Sequence, residues 1–126
     1  MAKPIDVRTR INLPSGNSDV SIVLVETNAV QISHGIQLFL SGNLIRDILP
    51  WGVNPVSVPH SLGHAQALKG LMTDCFGRVF HTDAQQVVFR CDFVMNGQVV
   101  ARSDDATIDL TAAAPSREFH IRCLFE

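Results

Sequence analysis

Residues 60–77, HSLGHAQALKGLMTDCFG, constrain the fold more than any other stretch, because they alone combine helical length with a helical period. Leu62, Ala65, Leu68, Met72 and Phe76 recur at three- and four-residue intervals among good helix formers. Ser57 or Ser61 offers an N-cap, Pro59 fits a first turn, and Gly77 suits the left-handed residue that follows a last turn. The spacing therefore predicts one full helix around which the chain is arranged. A second stripe, Gly63, Ala67, Gly70 and Asp74, has almost no side-chain volume, although each Gly gives up about 1 kcal/mol of helix propensity relative to Ala. Such a face admits close approach, either by the chain's own sheet or by the same helix of a second subunit.

The remainder reads as strand. Residues 5–11 alternate, with Ile5, Val7, Thr9 and Ile11 on one side and Asp6, Arg8 and Arg10 on the other. Residues 12–18 form a turn. Residues 20–25 are apolar on both faces apart from Ser21, as in a covered central strand. Residues 29–40 continue as strand, with a bulge or bend at His34-Gly35. In residues 44–49 the period changes to that of a helical turn, capped by Asn43 and stopped by Pro50. The Pro- and Gly-rich run that follows is a connection. The clearest strands, QVVFRCDFVM and QVVAR, are joined by Asn96-Gly97, the dipeptide that most readily supplies the two positive φ angles of a type I′ hairpin. After Ser103-Asp104-Asp105 come strands at residues 106–110 and 118–125, the last with Phe119, Ile121, Cys123 and Phe125 on one face.

About seven strands and one embedded helix predict a single α+β domain over residues 1–126, a mostly antiparallel sheet curled around the helix. The alternative is a β-sandwich or barrel with the helix plugging one end. Short connections exclude a parallel sheet with helical crossovers. The first layout resembles the hot-dog and cone-shaped α+β folds, in architecture alone.

With 126 residues, 46% hydrophobic and 17% charged, the chain can bury a core without metal or disulfide staples. Its net charge of −2 comes from scattered single charges, which argues against nucleic acid as a partner. Lys3, Arg8 and Arg10, the one local basic excess, fit the solvated face of a first strand. No run approaches the ~18 apolar residues of a membrane span, and the N-terminal MAKPIDVRTR lacks the organisation of a secretory signal. The expectation is a cytoplasmic protein without membrane contact, unless a signal has been removed. Cys75, Cys91 and Cys123 fall in apolar patterns without metal-ligand spacing, so they read as reduced core thiols.

No catalytic, cofactor or metal motif stands out. His60 and His64, four apart, would share a helix face, yet nothing at a companion spacing completes a ligand set, and surface or structural histidines are the simpler reading. Cys75 with His81 suggests a nucleophile pair, but a helix C-terminus raises a thiol pKa. Asp74, at the same helix end, reads as solvated or paired with Arg78. Trp51, the only tryptophan of a chain with no tyrosine, is the natural aromatic anchor for a ligand, or else a plug closing one end of the sheet. Arg90, Asp92 and Arg122 line either a polar pocket or a wet outer face.

Three functions fit. The first is a binding or assembly module that recognises an apolar small molecule or a protein, anchored on Trp51, and forms a homo-oligomer through the Gly63, Ala67, Gly70 stripe or through strand edges short of protective Lys. The second is a small enzyme with an apolar pocket and His60, His64 or Asp74 as acid or base. The third is a structural component of a larger particle.

Overall fold

The computed structural model describes residues 3–26, 31–81 and 83–126, and in them the chain is almost entirely strand. The strands are β1 (Ile5–Ile11), β2 (Asp19–Glu26), β3 (Gln31–Leu40), β4 (Asn43–Gly52), β5 (His60–His64), β6 (Leu71–Phe80), β7 (Gln85–Met95), β8 (Gln98–Arg102), β9 (Ala106–Leu110) and β10 (Ser116–Phe125). One sheet runs β1-β10-β6-β3-β4. The other runs β5-β2-β7-β8, with β9 following β8 along the same edge of β7. Every pairing is antiparallel except β1 with β10.

Alternation fixes which face of each sheet is dry. In β10, Phe119, Ile121, Cys123 and Phe125 point inward, and in β7 Val87, Phe89, Cys91, Phe93 and Met95 do so. The two faces meet in aromatic pairs: Phe89 stacks on Phe119 at 5.2 Å and Phe93 meets Phe125 edge-on at 5.3 Å. All three cysteines are unpaired in this shared core. The Cys91 thiol lies within hydrogen-bonding reach of Cys75. Burial pushes the Cys123 thiol up to about 12, so the group is inert at neutral pH.

The α+β expectation is wrong: no central helix exists among the described residues, and no helix plugs an end. Residues 60–77 form β5, a 3-10 turn over Ala65–Leu68, and the first part of β6. The glycines show why. Gly63 and Gly70 have φ of +113° and +80°, incompatible with a continuous right-handed helix. Gly77 is not a cap but a mid-strand close approach, since a Cβ there would lie 2.0 Å from the Ser33 carbonyl oxygen of β3. From Leu71 onward the period is two. Thr73, Cys75 and Val79 are buried in the core while Met72, Phe76 and Phe80 lie outside. Apolar residues on both faces concealed that alternation.

Residues 44–49 are likewise strand rather than a helical turn, because the β3–β4 hairpin pairs Leu38 with Arg46 and Phe39 with Leu44. The bend expected at His34-Gly35 is present as a register shift between His34 and Ile36; residues 29 and 30 of that expected strand lie outside the described residues. The hairpin at Asn96-Gly97 forms as expected, with φ of +53° and +77°. No described helix is long and apolar enough to cross a membrane.

Candidate functional site

The outer face of the β1-β10-β6-β3-β4 sheet carries the polar and aromatic residues that the core does not use, and strand register sorts them into rows. One row is apolar over four strands, Leu44, Phe39, Met72 and Leu124, and ends at Arg10 on β1. The next is charged and polar: Asp47, Gln37, Asp74, Arg122 and Arg8. Beyond it lie Asp6, His120, Phe76 and Gly35, and then Glu118, Arg78 and Ser33.

Asp74 is the electrostatic centre of this face. Although on an outer surface, it is only 5% exposed. His120 Nδ1 lies 3.1 and 3.0 Å from its two carboxylate oxygens, and Arg122 Nε lies 3.5 Å away. A carboxylate only accepts, so Nδ1 is the donor and Nε2 is the ring's remaining polar atom. Arg122 also reaches Asp6 at 2.9 Å, which ties β1 into the network. This arrangement holds one imidazole tautomer and one ring orientation, as a carboxylate behind a histidine does wherever the far nitrogen must bind or move a proton. The His120 ring stacks on Phe76 at 6.1 Å.

Trp51 completes the site from β4. Gly35 has no room for a Cβ, which would meet Leu49 O, Phe76 Cζ and Trp51 Cα all at 3.0 Å. The missing side chain therefore lets β4 lay Trp51 beside Phe76. The indole is 59% exposed, so it plugs nothing. It stands between two concavities. The smaller, about 220 Å³, is lined by Trp51, Phe76, Gly77, Arg78, Glu118 and His120. The larger, about 690 Å³, also takes Trp51 and Arg78 and adds Val53, Asn54, Val56 and Phe80 among others. Arg78 is paired with Glu118 across β6 and β10. Asn54 donates to the His34 and Pro50 carbonyls, both at 2.9 Å, which holds the loop after β4 against the sheet. Glu26, on the rim of the larger hollow, is pushed above the usual carboxylate range by burial.

No protein-family model, curated protein or solved structure matches this chain.

The structure joins two of the expected site residues and separates the others. Asp74 and Trp51 flank the same Phe76–His120 pair, on neighbouring rows of one face. Asp74 is not paired with Arg78, whose partner is Glu118. His60 and His64 stand at the two ends of β5 in the other sheet. His60 faces the interior, where its Nε2 has no hydrogen-bond partner, while His64 is exposed. His34, unforeseen from the sequence, is 1% exposed near His60, and burial pulls its pKa down to about 4. Gly63, Ala67 and Gly70 do not form a stripe, since no one helix spans them and only Ala67 lies in the 3-10 turn. Cys75 is buried in the core, whereas the His81 ring lies beyond the end of β6 and accepts the Asp83 amide at 2.9 Å. Arg90 and Asp92 pair at 2.9 Å in the second sheet, away from Arg122 in the first. Among the described residues no cluster of three His, Cys, Asp or Glu side chains has metal-binding geometry.

Proposed function

We propose that the chain is a binding module whose ligand seats on Trp51 over the outer face of the β1-β10-β6-β3-β4 sheet. One observation carries this reading: the only indole of the chain stands more than half exposed between two concavities that share it, where a residue needed only for packing would be covered. The mixture of aromatic, aliphatic and polar lining is that of a recognition surface, with a few placed polar groups around apolar walls. Because there is no tyrosine, near-ultraviolet emission reports on Trp51 alone. A fragment library titrated against the intact protein is expected to yield ligands that shift this emission and lose their binding in Trp51→Ala. Hits that bind without moving Trp51 emission, and bind Trp51→Ala equally well, would reject the site.

A second reading concerns self-association, which the row Leu44, Phe39, Met72 and Leu124 favours. These four side chains cross the sheet in register, with Leu44 51% and Leu124 40% exposed. Of the expected routes, one is absent and one strand edge is blunted. The helix stripe does not exist. The β4 edge is interrupted by three register shifts and Pro50, devices that oppose pairing with another strand.

A further inference from the structure

Resting on the Trp51 site proposed above, we infer that its ligand is a neutral saccharide chain, lying across Trp51 from the Phe76–His120 hollow into the larger one. Charge compensation carries the argument. Around the smaller hollow Arg78 is already paired with Glu118, and His120 gives Nδ1 to Asp74, which Arg122 also neutralises. Among the described residues no unopposed charge is left there for a phosphate, a carboxylate or an ammonium group. What is left is neutral or internally balanced: the His120 Nε2, the outer lone pairs of Glu118 and the remaining donors of Arg78, with Ser33, Asn54 and Glu26 on the other side, where burial favours the uncharged form of the Glu26 carboxyl, whose Oε2 has no hydrogen-bond partner. A ligand dense in hydroxyls, each both donor and acceptor, satisfies such a set where an ion does not.

The aromatic part makes the same selection. A pyranose ring presents patches of C–H on one face and hydroxyls at its edge, matching an exposed indole with polar groups around it. A lipid tail needs a closed apolar cavity to leave water, and these hollows lie open on a sheet face. A polyproline peptide docks between several aromatic ridges, whereas here the single exposed tryptophan has Phe80, 38% exposed, as its main aromatic companion in the larger hollow. Two hollows sharing Trp51 and Arg78 suit a ligand longer than one ring, with successive units on either side of the indole.

The test uses the intact protein, with cellohexaose, xylohexaose, mannohexaose, maltohexaose and chitohexaose as probes, followed by amide chemical shifts and by Trp51 emission. At least one hexasaccharide is expected to bind in the micromolar to millimolar range. It should move the amides of Trp51, Phe76, Arg78 and His120, and lose about tenfold or more in affinity in Trp51→Ala. Glu118→Ala, at an exposed position, should weaken the same binding while the melting midpoint stays close to that of the parent. The saccharide assignment is overturned if none of the five probes moves these signals at millimolar concentration. If a proline-rich peptide or inorganic phosphate moves them instead, the assignment fails while the Trp51 site stands. If a hexasaccharide binds but leaves Trp51 untouched, both fail.

Discussion

His34 shows how one buried side chain makes stability depend on pH. It is buried against the apolar interior with Nδ1 unpartnered, and both burial and the neighbouring His60 disfavour its protonated form. Its pKa falls to about 4 in the folded state, against 6.5 for an ordinary histidine. Above pH 6.5 the group is neutral in both states and contributes nothing. As pH falls below 6.5 the unfolded chain takes up the proton and the folded one does not, so stability is lost until about pH 4, by about 3 kcal/mol in all. Denaturant midpoints measured between pH 7 and 4 should therefore drop steeply for the parent and less for His34→Leu. Parallel curves would show that His34 is not held neutral. His34 is visible in the sequence only as a break next to Gly35; that it is buried depends on the Gly77 approach from β6, a contact between residues more than forty positions apart.

At the scale of elements, the legible parts were those fixed by local chemistry. Asn96-Gly97 determines its hairpin because both residues carry positive φ, which a β-branched residue adopts only with strain. Replacing both residues by Val is expected to cost a few kcal/mol, read as a fall in melting midpoint. An unchanged midpoint would mean that register is imposed by the strands alone. The alternations of β1, β7 and β10 were equally readable, because each sets most of its charged residues opposite a run of apolar ones. β6 was not. Its outer residues Met72, Phe76 and Phe80 are apolar like the inner ones, so period two is hidden and a spurious helical spacing takes its place. His120, Arg122 and Glu118 alternate plainly in β10, and its pairing with β6 sets Arg122 opposite Asp74, His120 opposite Phe76 and Glu118 opposite Arg78. That pairing joins distant parts of the chain, and local spacing does not specify it.

At the scale of the whole molecule, the two sheets share one core, so what distinguishes their outer faces must come from the residues that point away from it. On the β1-β10-β6-β3-β4 face the charged row of Gln37, Asp74 and Arg122 separates the Trp51 hollows from the apolar row of Leu44, Phe39, Met72 and Leu124. The two surfaces can consequently be perturbed one at a time. If the apolar row closes a symmetric dimer, face to face about a two-fold axis, each Leu124 meets the same patch of its partner, and a carboxylate there must be desolvated beside another carboxylate. Light scattering at high micromolar concentration is expected to give a dimer for the parent and a monomer for Leu44→Asp with Leu124→Asp. Because both positions are about half exposed in the single chain, the double variant should keep the parent's strand signature and its Trp51 emission. A parent that stays monomeric rejects the dimer outright. A double variant that still dimerises moves the contact to another surface, with the exposed Val99 of β8 in the opposite sheet as the next residue to replace.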